Sequence, residues 1–113
     1  MQSLAPVALA HGVRAGVIEP AAVATEFVGS VERAGGEDSP YAAQLQAYLD
    51  RTAGAFAAAQ SAESAAVAIT DAALAEEYRF RHQTGEAARA FTGRSLADLD
   101  GSAVLAMTST WIA

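Results

Sequence analysis

The sequence predicts an all-α domain of four to five helices built around a long, alanine-rich helical hairpin. Residues 39–84 contain no proline beyond Pro40 and a single glycine, Gly54. The larger apolar residues of this stretch recur at helical spacing. Thirty of the 113 residues are Ala, the strongest intrinsic helix former. A chain of this length forms one core, so we expect a single helical domain over residues 1–113.

Two short helices are expected before the hairpin. Pro6 opens a first segment that ends at Ala15, with Gly16 as its left-handed cap. Pro20 opens a second helix that runs to about Ala34 and is ended by a pair of glycines. Apolar residues of this second segment recur every three or four positions, which is typical of a helix with one buried face.

The first arm of the hairpin is expected over about residues 40–60. Ser39 is in place to act as N-cap, with Pro40 at the first helical position. The apolar face of this arm consists of Tyr41, Leu45, Tyr48, Leu49, Thr52 and Phe56. Ser61 and Ser64 can each cap a new helix, so we expect a turn between residues 54 and 64. An unbroken rod of about 67 Å is the alternative.

The second arm, over about residues 64–84, is predicted to be apolar on two sides. At about 100° per residue, one cluster contains Ile69, Ala73, Phe80, Ala87 and Phe91. The cluster almost opposite contains Val67, Leu74 and Tyr78. Glu77 and Arg81 lie between the clusters at the spacing of a helical ion pair. Either this helix packs on both sides within the domain, or one side faces another chain.

Short helices and a packing segment are expected after Gly85. One helix should run from Glu86 to Phe91. A second should run from Ser95, as the start of a capping box, to Asp100. Residues 101–113 mix helix-favouring and strand-favouring side chains, so a helix and an extended packing segment both stay open. Trp111 is expected to cover an edge of the core.

Composition excludes several classes of partner and site. The absence of Cys rules out disulfides and thiolate metal sites. A net charge of −6 without a basic face argues against nucleic acid. No run of about 18 apolar residues is present, so no membrane span is expected. The N-terminus lacks the features of a signal peptide; a cytoplasmic location is expected, and leaderless secretion stays open.

No motif defines a catalytic, cofactor or metal site. His82 and Glu86 are four residues apart, but Gly85 between them interrupts the helix that would align them as ligands. Glu76 and Glu77 would point about 100° apart on a helix and do not converge. The only local concentration of basic residues contains Arg79, Arg81, His82, Arg89 and Arg94. We therefore expect no enzymatic activity and no cofactor.

The function expected from these features is that of a non-catalytic helical interaction or assembly protein. It would serve as a small subunit or adaptor in a larger protein complex or homo-oligomer. The candidate interface residues are Val67, Leu74, Tyr78, Arg81 and Trp111. An alternative is an accessory subunit of an enzyme complex, with His82 or the Arg-rich cluster at a shared site.

The alanine-rich helical pair from Ser39 to Phe91 resembles the small substrates of type VII secretion, which are helical hairpins that dimerise. The resemblance implies a secreted helical-hairpin partner protein, which we keep as a second alternative. Two motifs of that family differ here. The only Trp is Trp111, so the Trp-x-Gly turn is missing. No Tyr is followed four residues later by Asp or Glu.

Overall fold

The computed structural model describes residues 2–30 and 38–113, which form helices and short parallel strands. In chain order the elements are α1 (Ala5–Ala10), β1 (Val17–Glu19), β2 (Val23–Ala24), a 3₁₀ turn (Val28–Ser30), α2 (Ala42–Ala57), β3 (Gln60–Ser61), α3 (Ala62–Leu74), β4 (Arg81–Gln83), α4 (Glu86–Ala97) and α5 (Ser102–Ser109). The prediction of an all-α fold is therefore wrong. The last part of the second predicted helix, residues 31–34, and its glycine end lie outside the described residues.

The strands form two parallel pairs. β1 pairs with β4, with Val17 opposite Arg81 and Glu19 opposite Gln83. β2 pairs with β3, with Val23 opposite Gln60. Residues 17–24 therefore contact two segments that follow them by about 40 to 60 positions in the chain. These non-local pairings organise the fold.

The predicted helix that begins at Pro20 is wrong over residues 20–30, where the chain forms β2 and a 3₁₀ turn. Two local preferences explain the extended backbone around it. Val17 and Ile18 are β-branched and favour strands. Pro20 disfavours helical backbone at Glu19, the residue before it. Proline also has no N–H to donate, so the β1–β4 pairing ends there.

Gly16 is not the left-handed cap that the sequence predicted. α1 ends at Ala10, and Gly12 is the residue with a positive φ of 73°. Gly16 instead lies against the chain just before β4. A Cβ atom at this position would lie 3.0 Å from the carbonyl oxygen of Phe80. The missing side chain allows Val17 N–H to donate to that same oxygen at 2.8 Å.

The predicted break between residues 54 and 64 is confirmed, and the unbroken rod is excluded. α2 ends at Ala57, and Ser61 caps α3 by accepting a hydrogen bond from the Ser64 N–H at 3.1 Å. The start of α2 is shifted from the prediction. The Ser39 hydroxyl accepts from the Tyr41 N–H at 3.3 Å, and the helix begins at Ala42.

The two helices do not form the packed hairpin that the sequence predicted. Among the described elements, α2 and α3 each contact β2, whereas substantial contact between α2 and α3 is absent. The reason lies in the connection between them. Gln60 and Ser61 form β3, which pairs with β2, so β2 contacts both helices.

The two-sided helix predicted to Thr84 is also wrong, because α3 ends at Leu74. Ala75 has extended backbone, and the aromatic residues Tyr78 and Phe80 lead into β4. The guanidinium of Arg14 donates to the Ala75 carbonyl oxygen at 2.6 Å and to that of Glu76 at 3.4 Å. Arg14 thus holds the chain where it leaves α3.

The C-terminal region contains two helices that differ from the predicted ones. α4 continues through Gly93 to Ala97, so the helix expected from Ser95 to Asp100 does not exist as a separate element. Asp98 instead accepts hydrogen bonds from the N–H groups of Ala103 and Val104, at 3.2 and 2.8 Å, and caps α5. Residues 102–109 are helical, which decides between the two conformations left open.

Little apolar side chain is buried. Among the described residues, the buried apolar side chains are those of Ala5, Ala65 and Ala88. Each contributes a single methyl group, and burial stabilises by about 0.8 kcal/mol per methylene-sized group. The larger apolar side chains lie at the surface or are half-buried.

Candidate functional site

The candidate interface residues fall in three places. Val67 and Leu74 lie seven positions apart on one face of α3, with 61% and 75% of their surface exposed. Tyr78 and Arg81 lie beyond the end of that helix and contact the β1 region. Trp111 follows α5, at the opposite end of the sequence from β1. The structure therefore brings Val67 and Leu74 together but does not unite all five residues on one surface.

Tyr78 and Arg81 attach the end of α3 and β4 to the N-terminal segment. The Tyr78 hydroxyl donates to the Ala15 carbonyl oxygen at 2.7 Å. Arg81 forms an ion pair with Glu19 rather than with Glu77, because α3 has ended before Glu77 and the two residues do not share a helix face. The ion pair predicted between Glu77 and Arg81 is therefore wrong.

Glu19 organises a polar cluster on one face of the β1–β4 pair. Its carboxylate accepts from Arg81 through Oε1 and from Gln83 through Oε2, the latter at 2.7 Å. Alternate residues of a strand share a face, so Arg81 and Gln83 both reach the Glu19 side while His82 points the other way. Sequence reasoning missed Glu19, because its partners lie more than sixty residues away.

Gln60 links the two strand pairs. Its amide nitrogen donates to the Thr84 carbonyl oxygen at 3.0 Å, and its amide oxygen accepts from the Thr84 hydroxyl at 2.7 Å. Thr84 is the buried polar residue of the described chain, with 8% of its surface exposed. Sequence reasoning missed this pair too, since neither residue belongs to a recognisable motif. Both polar groups are satisfied, which indicates a structural role.

The predicted basic cluster is divided between faces and elements. Arg79 and His82 border a cavity of about 180 Å³ together with Arg14 and Glu77. Arg81 lies on the opposite face of β4, paired with Glu19. Arg89 and Arg94 lie on α4. The His82 Nε2 atom is 3.0 Å from the Arg79 carbonyl oxygen. These residues therefore do not form one basic surface.

Trp111 packs beside α2. The Arg51 guanidinium lies 5.9 Å from the centre of the indole ring, within the range of a cation–π contact. The indole N–H is buried and has no hydrogen-bond partner among the described residues. A buried donor without a partner costs free energy.

An apolar surface runs along α2 and comprises Tyr41, Leu45, Tyr48, Leu49, Thr52 and Phe56, hereafter the α2 stripe. These residues fall within about 100° around the helix axis, as the sequence predicted. Tyr41, Leu45 and Tyr48 are 73%, 44% and 42% exposed. Leu49, Thr52 and Phe56 are half-buried. The stripe is thus open at its N-terminal half and partly covered at its C-terminal half.

The whole chain exposes more surface than a closed domain of its mass. Its accessible surface is 8523 Å². A folded monomer of 11.5 kDa exposes about 5,800 Å² by the usual scaling with mass. The radius of gyration is 17.6 Å, against about 13 Å for a compact domain of this length. The excess of about 2,700 Å² is larger than one side of a standard protein interface.

Comparisons with protein-family models, with curated proteins and with solved structures found no match. None of the helices in residues 2–30 and 38–113 is long and apolar enough to cross a membrane. Within the same residues, no group of three or more His, Asp or Glu side chains is placed to hold a metal ion.

Proposed function

We propose that this chain is a non-catalytic interaction or assembly protein, a small subunit or adaptor of a larger protein complex or a homo-oligomer. The observation that carries the proposal is the excess of about 2,700 Å² of surface over a closed monomer. Large apolar side chains are exposed on each of the five helices. Association removes such surface from water and supplies the stability that a thin core lacks.

The arrangement of the polar residues supports a non-catalytic role. Glu19, Arg81 and Gln83 are bonded to one another, and Gln60 and Thr84 likewise. These contacts connect strands that are distant in sequence. A catalytic group needs a polar atom available to a substrate, whereas these polar atoms are occupied by the fold. A cytoplasmic location is part of the same proposal.

Sedimentation equilibrium of the purified chain, with identification of proteins that co-purify from its native source, tests the proposal. We expect either a mass that is a multiple of 11.5 kDa or a stable complex with another protein. A monomer of 11.5 kDa at all concentrations, without a co-purifying partner, would contradict the proposal.

Variants on α3 test whether the exposed pair on that helix takes part. Val67→Glu and Leu74→Glu place a charge on the shared face of α3 and should weaken association if this face is covered, because burying an unpaired charge is costly. Ala66→Glu is the matched control, since Ala66 is exposed on the same helix but points about 100° away from Val67. Equal effects of all three substitutions would remove α3 from the interface.

The two alternative functions, a secreted helical hairpin and an accessory subunit of an enzyme complex, have less support. A secreted hairpin requires two helices packed along each other, and α2 and α3 lack that contact within the described residues. A shared enzyme site would use the basic cluster, whose members the fold separates. Neither alternative is favoured by a specific observation.

A further inference from the structure

We infer that a second copy of this chain docks on the α2 stripe, antiparallel to it, with a two-fold axis that passes between Tyr48 and Leu49. The inference rests on the proposed function and names the partner of one surface. It depends on the spacing of the stripe residues, on their exposure and on the position of the charges of α2.

The spacing of the stripe residues is symmetric. Along the chain the six positions are separated by 4, 3, 1, 3 and 4 residues, the same in both directions. A two-fold axis between positions 48 and 49 therefore places Tyr41 opposite Phe56 of the other copy, and Leu45 opposite Thr52. Every stripe residue then meets a stripe residue of the other copy. A two-fold interface requires this self-complementarity, whereas a different partner would not.

The same six residues form two ridges suited to helix packing. One ridge is Tyr41, Leu45 and Leu49, and the other is Tyr48, Thr52 and Phe56. Each ridge follows the i, i+4 row of a helix, and the two-fold axis places each ridge opposite the other ridge of the second copy. Packing of i, i+4 ridges into the matching grooves of a second helix is the commonest class of helix contact, with a crossing angle of about −50°.

Charges lie away from the stripe. Asp50 is about 180° from Tyr41 around the helix and accepts a hydrogen bond from Gln46 at 2.7 Å. The Arg51 guanidinium lies over Trp111 of its own chain. Pairing of two stripes therefore buries no charge of α2, although each chain carries a net charge of −6.

The chain as a whole exposes more surface than such a contact requires. A stable interface needs about 800 Å² per partner, less than the excess of about 2,700 Å² on this chain. Two of the stripe residues are Tyr, which can bury about 150–250 Å² each and is enriched at interfaces. An open depression of about 340 Å³ lies beside Phe56 and is bordered by Ala24, Thr25 and Glu26. Tyr41 of the second copy would lie nearest to it.

Single-cysteine cross-linking tests the inference directly, because the natural chain has no Cys. Tyr48→Cys places a thiol next to the proposed axis, within reach of its own symmetry mate. Tyr41→Cys places a thiol on the same stripe, but about 22 Å from its mate along the two antiparallel helices. A disulfide requires Cα atoms within about 7 Å. Under mild oxidation we expect a disulfide-linked dimer from Tyr48→Cys and none from Tyr41→Cys.

Tyr41→Cys is the control, and Tyr41 is more exposed than Tyr48, so a missing cross-link there would not be due to burial of the thiol. Cross-linking of both variants would overturn the antiparallel placement, since a parallel pair brings every stripe position close to its mate. Cross-linking of neither variant, with the natural chain oligomeric by sedimentation, would overturn the inference and leave the proposed function standing. A monomeric natural chain with a co-purifying partner would overturn the inference alone. A monomeric chain without such a partner would contradict both the inference and the proposed function. Leu49→Cys is the second variant, expected to behave as Tyr48→Cys, should the loss of Tyr48 reduce the helix content seen by circular dichroism.

Discussion

Glu19 is a residue whose role depends entirely on side chains distant in sequence. Its carboxylate accepts hydrogen bonds from Arg81 and Gln83 on the strand next to its own. Pairing of opposite charges across neighbouring strands stabilises a sheet and specifies its register. A two-stranded parallel pair of three residues each has few backbone hydrogen bonds, so such contacts matter more here than in a large sheet.

A double-mutant cycle on Glu19→Ala and Arg81→Ala measures this contact. Both side chains are partly exposed, so we expect a coupling free energy of about 0.5–1 kcal/mol that falls as salt is added. Urea unfolding provides the measurement. A cycle with Arg79→Ala in place of Arg81→Ala is the control and should give no coupling, since Arg79 borders a cavity on the other side of the strand. Equal coupling in the two cycles would contradict this account.

Two glycine substitutions should change stability in opposite directions. Gly16→Ala adds a Cβ only 3.0 Å from the Phe80 carbonyl oxygen, so we expect a loss of about 1–3 kcal/mol in the free energy of unfolding. Gly54→Ala adds a Cβ that meets no atom within 4 Å, inside α2, and should stabilise by about 0.5–1 kcal/mol. Urea unfolding of both variants checks the signs. Stabilisation by Gly16→Ala would show that the close approach of the Gly16 and Phe80 segments is not required.

At the scale of elements, helices with local signals were predicted and strands were not. Residues 42–57 form α2 as the spacing of Leu45, Tyr48 and Leu49 predicted, and Ser61 caps α3 as a serine before a helix should. The strands are only two or three residues long, too short to show alternation of polar and apolar residues. Their partners lie far along the chain, so no local pattern could reveal them.

The positions of the candidate interface residues were predictable where they lie on a helix and not where the chain is extended. Val67 and Leu74 fall on one exposed helix face because seven residues make almost two turns. Tyr78 and Arg81 were placed on that helix because the apolar spacing continues past Leu74, although the chain there becomes extended. The interface role of these residues stays a prediction.

The loop before α5 should respond to acid. Ser102 donates its hydroxyl and its backbone N–H to Asp100, and these hydrogen bonds hold the pKa of that carboxyl below its usual value. Because the pKa of Asp100 is lower in the folded state, its ionised carboxylate stabilises the start of α5 at pH values above the unfolded-state pKa of about 3.9. The stabilisation is lost as pH falls from that value through the folded-state pKa.

Comparison of the natural chain with Ser102→Ala measures this effect. The difference in their free energy of unfolding should shrink as pH falls from 5 to 2. The Ser102 hydroxyl stabilises the ionised carboxylate of Asp100, and this stabilisation is lost once Asp100 is protonated. Ser109→Ala is the control, since the Ser109 hydroxyl donates to a carbonyl oxygen, which does not titrate in this range. A difference for Ser102→Ala that is constant with pH would contradict the assignment.

The molecule as a whole combines little buried apolar area with many exposed apolar side chains. Polar contacts join segments that are distant in sequence, but the buried apolar side chains of the described residues are three alanines. Most large apolar side chains of α2 and α3 are exposed, whereas Leu49 and Phe56 are half-buried. We propose that a domain with so little buried apolar area gains its stability from association, because conformational entropy opposes folding at every residue that is ordered.

The concentration dependence of thermal unfolding tests this claim most directly. When folding is coupled to association, the melting temperature rises with protein concentration. We predict that the midpoint measured by circular dichroism rises by about 5 °C or more over a roughly 100-fold range of concentration, for the purified chain or for its complex with a co-purified partner. A sharp midpoint that does not change with concentration, from a chain that sediments at 11.5 kDa, would contradict the claim.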